Sequence, residues 1–509
     1  MDRRRGALAA AAVCLLLLGG CSSLIDQPVQ PVPRVAGSAL VVETDDGLLQ
    51  GIDHEGVRSW RGIPFAAPPL GDLRWRAPQA AAPWEGGRDA TQFGADCLHP
   101  PSLASTLTST LTSEDCLFLN VERPAEVGED LPVLVWIHGG GFVMGSGRTE
   151  AADGEAFVRR GVLLVTLNYR LGRLGFLAHP ALDPESANAG LRDQVAALEW
   201  VQDNIADFGG DPDRVTVGGG SAGGLSVNAL MASPTTDGLF AQAISQSGLG
   251  REPTQTFAQA TSEGRRLATA AGALDAAALR SLDAAEVMTW PLDVFAGQVP
   301  VVDGTLVTAP VAQAFAAGQE QDVPFLVGST DLDLEADLLK PLGLDDEARA
   351  LLRSAGEASL VRAYATPDAV RRHLMADAIF TEPARLLATA HGRRAPTWRY
   401  RFEVVTAEAF ARVGGAPHAS ELPYVFDGVL PLGAQADAPG MAAVVSDYWA
   451  SFVRTGDPNL VGGQTWPTAE DGALLRLTNT GAVTEAVDPW QRRLDAVRRA
   501  VEGAPKLER

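Results

Sequence analysis

The stretch VTVGGGSAGGLSVNALM, residues 215–231, limits what this chain can fold into more than any other segment. A short β-branched strand runs into three glycines, then Ser221, then a run with helical spacing. Strand, Gly-x-Ser-x-Gly and helix, in that order, describe a turn sharp enough to leave a serine standing above the edge of a sheet. Small residues flank the serine because they let the chain turn sharply enough to present it above the sheet. A helix starting there aims backbone N–H groups and its positive dipole end at the serine. The same residues also satisfy Gly218-x-Gly220-x-x-Gly223, a dinucleotide-binding fingerprint, with Asp237 about 20 residues on. That reading needs an acid at the end of a second strand. Asp237 instead lies in the turn SPTTDGLF ahead of the next strand, so the serine turn is the stronger reading.

Strands alternate with helices on both sides of this turn. Residues 132–138 (PVLVWIH), 161–169 (GVLLVTLNY), 241–246 and 323–327 are apolar runs of strand length. Residues 188–208 carry Leu191, Val195, Leu198, Val201 and Ile205 at helical spacing. The Ala-rich segments 258–288 and 348–394 are expected to be helical. Near-continuous apolar strands between helices indicate an α/β protein with a mostly parallel sheet covered on both faces. No linker or repeat interrupts residues 38–505, which are expected to form one domain.

Composition narrows the partners. The 509 residues are 46% hydrophobic, which supports a large core. Acidic residues number 63 against 41 basic ones, for a net charge of −22. That surplus repels phosphate, so nucleic acid and anionic membrane surfaces are not expected partners. Seven histidines and four cysteines form neither HExxH nor CxxC. A histidine- or cysteine-rich metal site is therefore not expected.

The N-terminus reads as an address. Arg3, Arg4 and Arg5 precede an apolar run, Ala7–Leu18, too short to span a bilayer. The run ends Leu18-Gly19-Gly20-Cys21, which resembles a bacterial lipobox, in which the cysteine is acylated and becomes the new N-terminus; ordinary secretion is the plainer alternative. Residues 1–20 are thus expected to be removed, Cys21 to carry a lipid that holds the protein to the cell envelope, and the Pro-rich residues 21–37 to act as a tether. Cys14 leaves with the signal, so Cys97 and Cys116 remain. In an export compartment they are expected to pair. A loop of about 20 residues closed this way stabilises by about 3 kcal/mol in the chain-entropy model. Two free thiols are the alternative.

His138-Gly139-Gly140-Gly141 follows the strand at 132–138. Three glycines let backbone N–H groups approach a reacting carbonyl, so Gly140 and Gly141 are candidate oxyanion donors together with Ala222. A serine needs a base, and in this arrangement the chain order is Ser, acid, His. His373 lies in a helical run among arginines and reads as a surface residue. His391, in AHGRR, reads as the end of a helix. His418 lies in the loop-like GGAPHASELPYVF, expected to come after all the strands as this arrangement requires, and is the candidate base.

The chain resembles the type-B carboxylesterases, the family of cholinesterases and bacterial para-nitrobenzyl esterases. The resemblance is carried by RGIPFAAPPLGDLRWRAP (61–78), EDCLFLNV (114–121), HGGGFVMGSG (138–147), NYRLGRLGFL (168–177), residues 188–217, SQSG (245–248), HASELPYVF (418–426) and YWASFVRTGDPN (448–459). It implies an α/β-hydrolase fold, Ser221 as nucleophile, His418 as base and a bridge between Cys97 and Cys116. Two positions depart from the family pattern. Gly220 stands where the family usually has Glu. The acid segment, Gly328-Ser-Thr-Asp-Leu-Asp333-Leu-Glu335-Ala336, offers Asp333 by spacing and Glu335 by residue type. Two functions follow: a serine esterase working on small-molecule carboxylic esters through an acyl-enzyme, or a catalytically silent binding module on the same fold. The intact Ser221, His418 and glycine triplet favour the esterase, which would need no cofactor.

Overall fold

The computed structural model describes residues 40–99, 111–126, 128–148, 154–251, 255–290, 300–338, 344–428 and 437–503. The signal segment, Cys21, the tether and the end of the expected domain beyond 503 lie outside the described residues.

Among the described residues the chain is built on an eleven-stranded sheet. Its strands are β1 (Ile52–His54), β2 (Val57–Pro64), β3 (Phe118–Pro124), β4 (Leu131–Ile137), β5 (Leu163–Leu167), β6 (Gly210–Gly220), β7 (Gln242–Gln246), β8 (Phe325–Thr330), β9 (Thr397–Phe402), β10 (Leu474–Thr478) and β11 (Gly481–Glu485). In space they lie in the order β11-β10-β9-β8-β7-β6-β4-β5-β3-β2-β1. Neighbours from β5 through to β10 run parallel. β1, β2, β3 and β11 add antiparallel edges. Helices cover both faces, and this is the α/β-hydrolase fold.

Both faces of the sheet are dry, which is why its strands read as unbroken apolar runs. Val133, Val135 and Ile137 of β4 point into one core with Val217, Leu191, Leu198 and the helix Ala222–Met231. Leu134 and Trp136, one residue out of step, point into the other with Ile244, Leu326, Tyr400 and the helix Met441–Thr455. The period of two thus sorts each strand between two cores.

The strands β1, β2, β3, β9, β10 and β11 were not evident as strands in the sequence. β10 and β11 also follow His418, so the histidine loop does not come after all the strands. The reason is visible in β9, TWRYRF, which is buried throughout although two residues in six are arginine. Arg399 is paired with Asp488 at 2.7 Å and Arg401 with Asp331 at 2.7 Å, and the Arg401 guanidinium lies over the Trp490 ring at 4.1 Å. The Ala-rich segments are helical but broken: Phe257–Ala270, Ala276–Arg280 and Ala284–Met288 in one, and four α-helices with a π-helical turn at Asp377–Thr381 in the other.

Strand order reverses at β4, since β5 lies on one side of it and β6 on the other. In open α/β sheets a ligand crevice opens beyond the carboxyl ends of the strands at such a point. His138 follows β4 and Ser221 follows β6. The register then runs Gly220↔Gln246↔Gly328↔Tyr400 across β6, β7, β8 and β9.

Candidate active site

Ser221 sits at the N-terminus of the helix Ala222–Met231 with φ 57° and ψ −121°. A non-glycine residue held there stores strain of about 1–3 kcal/mol and is tolerated when its surroundings enforce it. They do so here: the Ser221 N–H donates to the Gln246 carbonyl at 2.8 Å, and the Leu225 N–H donates to the Ser221 carbonyl at 2.9 Å. The flanking glycines are required by contact. A Cβ on Gly223 would meet the Ile137 carbonyl oxygen at 2.0 Å, and one on Gly219 would meet the Gly223 carbonyl carbon at 2.6 Å. The helix therefore starts against the end of β4, which sets the serine turn beside the glycine triplet. Asp237 follows a short 3-10 turn, Pro234–Thr236, and ends no strand. The dinucleotide reading is not supported.

The glycine triplet is braced from beneath. Gly140 has φ +104°, and a Cβ there would meet the Met144 carbonyl oxygen at 2.1 Å. The buried ring of His138 donates from Nδ1 to the Gly139 carbonyl at 2.8 Å. It stacks on Tyr169, with ring centroids 4.4 Å apart, and the Tyr169 hydroxyl donates to the His138 carbonyl at 3.0 Å. Burial holds the His138 pKa down to about 4, so this imidazole stays neutral near pH 7. It supports the loop and is not set up to shuttle protons.

His418 Nδ1 donates to Asp333 Oδ1 at 2.7 Å. The Asp333 side chain is buried, while a third of the His418 side chain is open to solvent. Asp333 is fixed by its own loop, because its Oδ2 accepts from the Thr330 N–H at 2.9 Å. The histidine loop is stitched to this turn by the Leu332 N–H, which donates to the Ala416 carbonyl at 2.9 Å. The Phe380 ring, on the π-helical turn, packs against the imidazole at 5.0 Å between centroids. Of the two candidate acids, Asp333 meets His418. Glu335 turns away and faces Arg412 at 3.7 Å. Its residue type matched the family pattern, but its place two residues further along the chain directs its side chain to Arg412 instead of the imidazole.

The other histidines lie elsewhere. His391 is fully buried between Glu320 at 3.2 Å and the Val323 carbonyl at 2.8 Å, an internal brace and not only a helix end. His373 is half-buried among Asp331, Asp377, Arg401 and Arg493, not a free surface residue. Cys97 and Cys116 form a disulfide with Cα atoms 4.9 Å apart. Among the described residues one trio of possible metal ligands, His54, Glu55 and Glu155, comes within 4.8 Å. It lies at the β1 edge, where Arg159 already pairs with both glutamates.

Two residues of the site went unassigned in the sequence. Gln246 donates from Nε2 to Glu421 Oε1 at 3.1 Å and accepts at Oε1 from Trp449 Nε1 at 2.8 Å. Glu421 is buried three residues after His418. The available signal was an acidic residue directly ahead of the apolar LPYVF turn.

Comparisons with known proteins place the chain in a family. Residues 38–491 match the model of the carboxylesterase family. The chain is 39% identical to a fumonisin B1 esterase of Sphingopyxis macrogoltabida over 85% of each chain. It is 35% identical to a para-nitrobenzyl esterase of Bacillus subtilis, over 88% of this chain and 96% of that one. A solved carboxylesterase of Geobacillus stearothermophilus superposes with a TM-score of 0.77 at 34% identity, covering 90% of this chain and 99% of that one. A solved PNB esterase gives 0.76 at 32%, covering 90% and 100%. Over nearly its whole folded length, then, this chain belongs to the carboxylesterase family and is a carboxylic ester hydrolase.

Proposed function

We propose that Ser221 is the nucleophile, His418 the general base and Asp333 the acid that orients it. The hydrogen bond from His418 Nδ1 to Asp333 Oδ1 carries this reading. It puts the ring proton on Nδ1 and leaves Nε2 as the nitrogen able to take a proton from Ser221 Oγ. The serine oxygen attacks the ester carbonyl. The developing oxyanion is met by the backbone N–H groups of Gly140, Gly141 and Ala222, which need no reorganisation as charge builds. His418 hands its proton to the departing alcohol, leaving an acyl group on Ser221. Water, activated by the same imidazole, then releases the acid. The substrate class is small-molecule carboxylic esters. Cys21 carries a lipid that holds the enzyme to the cell envelope; the Arg-rich leader, the short apolar run and Gly19-Gly20-Cys21 support this.

Ser221→Ala tests the assignment. Hydrolysis of p-nitrophenyl acetate should fall below about one-hundredth of wild type, with the melting temperature nearly unchanged. A variant that keeps more activity than this would remove Ser221 from the role.

A further inference from the structure

The ester chemistry leaves unused a cavity where β8, β9 and β10 meet the segment that follows β11. Its wall includes Ser329, Thr381, Ala384, Arg399, Arg401 and Trp490. Arg399 and Arg401 stand two apart on β9, so both side chains leave the same face of the sheet. Ser329 lies directly opposite Arg401 in the register of β8 with β9. Thr381 and Ala384 come from the π-helical turn and the helix Glu382–His391 that follows it.

Both arginines are more than nine-tenths buried, and each is bonded to the protein through Nη2. Arg399 Nη2 donates to Asp488 Oδ2 at 2.7 Å and to the Gly472 carbonyl at 3.0 Å. Arg401 Nη2 donates to Asp331 Oδ1 at 2.7 Å and to the Asp331 carbonyl at 3.1 Å. Arg399 Nε and Arg401 Nε and Nη1 are buried and, among the described residues, have no hydrogen-bond partner. Glu403 stands 3.8 Å from Arg401 Nε, beyond hydrogen-bonding reach. The carboxylate beside Arg399 is engaged at both ends, because Asp488 Oδ1 accepts from the Trp490 N–H at 2.8 Å. Burial presses the Arg399 guanidinium below its usual range; Asp488 works against this, and the charges of Arg385 and Arg401 add to it.

A guanidinium donates and never accepts, so whatever completes this cavity must be an acceptor. Buried donors left unmet are costly, more so on charged groups. The cavity has room for the centre of one water-sized sphere, about 10 Å³, which is too little for a phosphate, a sulfate or a carboxylate. A single water molecule accepts two hydrogen bonds, one fewer than the N–H groups offered. A monatomic anion accepts all three and also separates the two cations.

We infer that this cavity is a chloride site, in which Arg399 and Arg401 hold one buried halide between β9 and the segment Asp488–Trp490. The ion would fasten the chain after β11 to two supports of the active site. Ser329 precedes Thr330, whose N–H holds Asp333. Thr381 ends the π-helical turn whose Phe380 packs on His418.

The test uses the full chain, purified without halide in sodium gluconate, whose anion is too large to enter. Chloride then replaces gluconate at constant ionic strength and pH 7.5. The melting temperature should rise saturably, by about 2–5 °C when chloride reaches about a hundred times its dissociation constant. Equilibrium dialysis with radiolabelled chloride should give one ion per chain, with the same dissociation constant as the melting series. Ala384→Val, which keeps both arginine ion pairs and takes up part of the space, should bind chloride at least about tenfold more weakly. Its melting temperature should respond correspondingly less. A wild-type melting temperature indifferent to the exchange, or no saturable binding in dialysis, overturns the proposal, and neither result needs a variant to fold. An Ala384→Val protein that binds chloride as tightly as wild type also overturns it, because the ion then sits elsewhere. None of these readings uses ester hydrolysis, so they stand or fall apart from the roles of Ser221, His418 and Asp333.

Discussion

Asp333 has both oxygens committed, one to His418 Nδ1 and one to the Thr330 N–H, and it is buried by its own loop. A side chain held twice sets the tautomer of the ring it touches. Asp333→Asn should therefore lose on the order of 10²–10⁴ in kcat, because an amide permits the wrong tautomer. Glu335→Gln should change kcat less than about threefold, since the ion-pair partner of Glu335 among the described residues is a mostly exposed arginine at 3.7 Å. Steady-state kinetics on purified variants checks both. If Glu335→Gln proves the more damaging, the geometry of this turn is not the working one. The sequence left both acids open because residue type and spacing disagree over a span of two residues. Only the path of the chain after β8 decides which carboxylate reaches the imidazole. Gln246 was hidden for a related reason: its roles run through its backbone carbonyl and through an amide that meets residues more than 150 positions away.

The elements that present the site differ in how plainly they were written. The serine turn and the glycine triplet are local devices, and their residues state their purpose. What lies under the triplet is not local. His138 reads as the first residue of a loop motif, yet its ring is buried on Tyr169, just past the end of the neighbouring strand β5. That burial has a consequence for stability. The folded chain does not protonate His138 until about pH 4, whereas an unfolded chain does so near 6.5. The unfolded state thus binds more protons in that window, and stability must fall as pH drops from about 6.5 to about 4, by at most about 3 kcal/mol from this group. His179 and His373 are shifted in the same direction by burial and add to the slope. Denaturant unfolding of wild type and His138→Gln at pH 7 and pH 5 measures this. The variant should lose less stability between the two, and an unchanged difference would remove His138 as a contributor. Strand β9 was the costliest element to miss. Arginines at alternate positions look like a solvated face, but Asp331, Asp488 and Trp490 neutralise and cover them from distant parts of the chain.

At the scale of the whole molecule, a parallel sheet gathers residues from 138 to 418 at one edge, because its strands present their carboxyl ends together. The α/β class, the order of strand and helix and the family were legible in the sequence, since they depend on apolar runs and motifs read one segment at a time. The antiparallel edges were not, because short half-polar strands carry little signal alone. No helix among the described residues is long and apolar enough to cross a membrane. Attachment by the proposed lipid is testable on the intact chain: Cys21→Ser should move the protein from the detergent-extracted envelope fraction to the soluble exported fraction. Retention of the variant with the membranes would place the anchor elsewhere. The central claim is that Ser221, presented by its strained turn and served by His418, is the residue acylated during turnover. Its most direct test is to treat the intact enzyme with a fluorophosphonate and locate the adduct by peptide mass mapping. One adduct is expected, on the peptide containing Ser221, formed in step with loss of esterase activity and absent from His418→Ala within the same time. An adduct on another residue, or full inactivation with Ser221 unmodified, would contradict it.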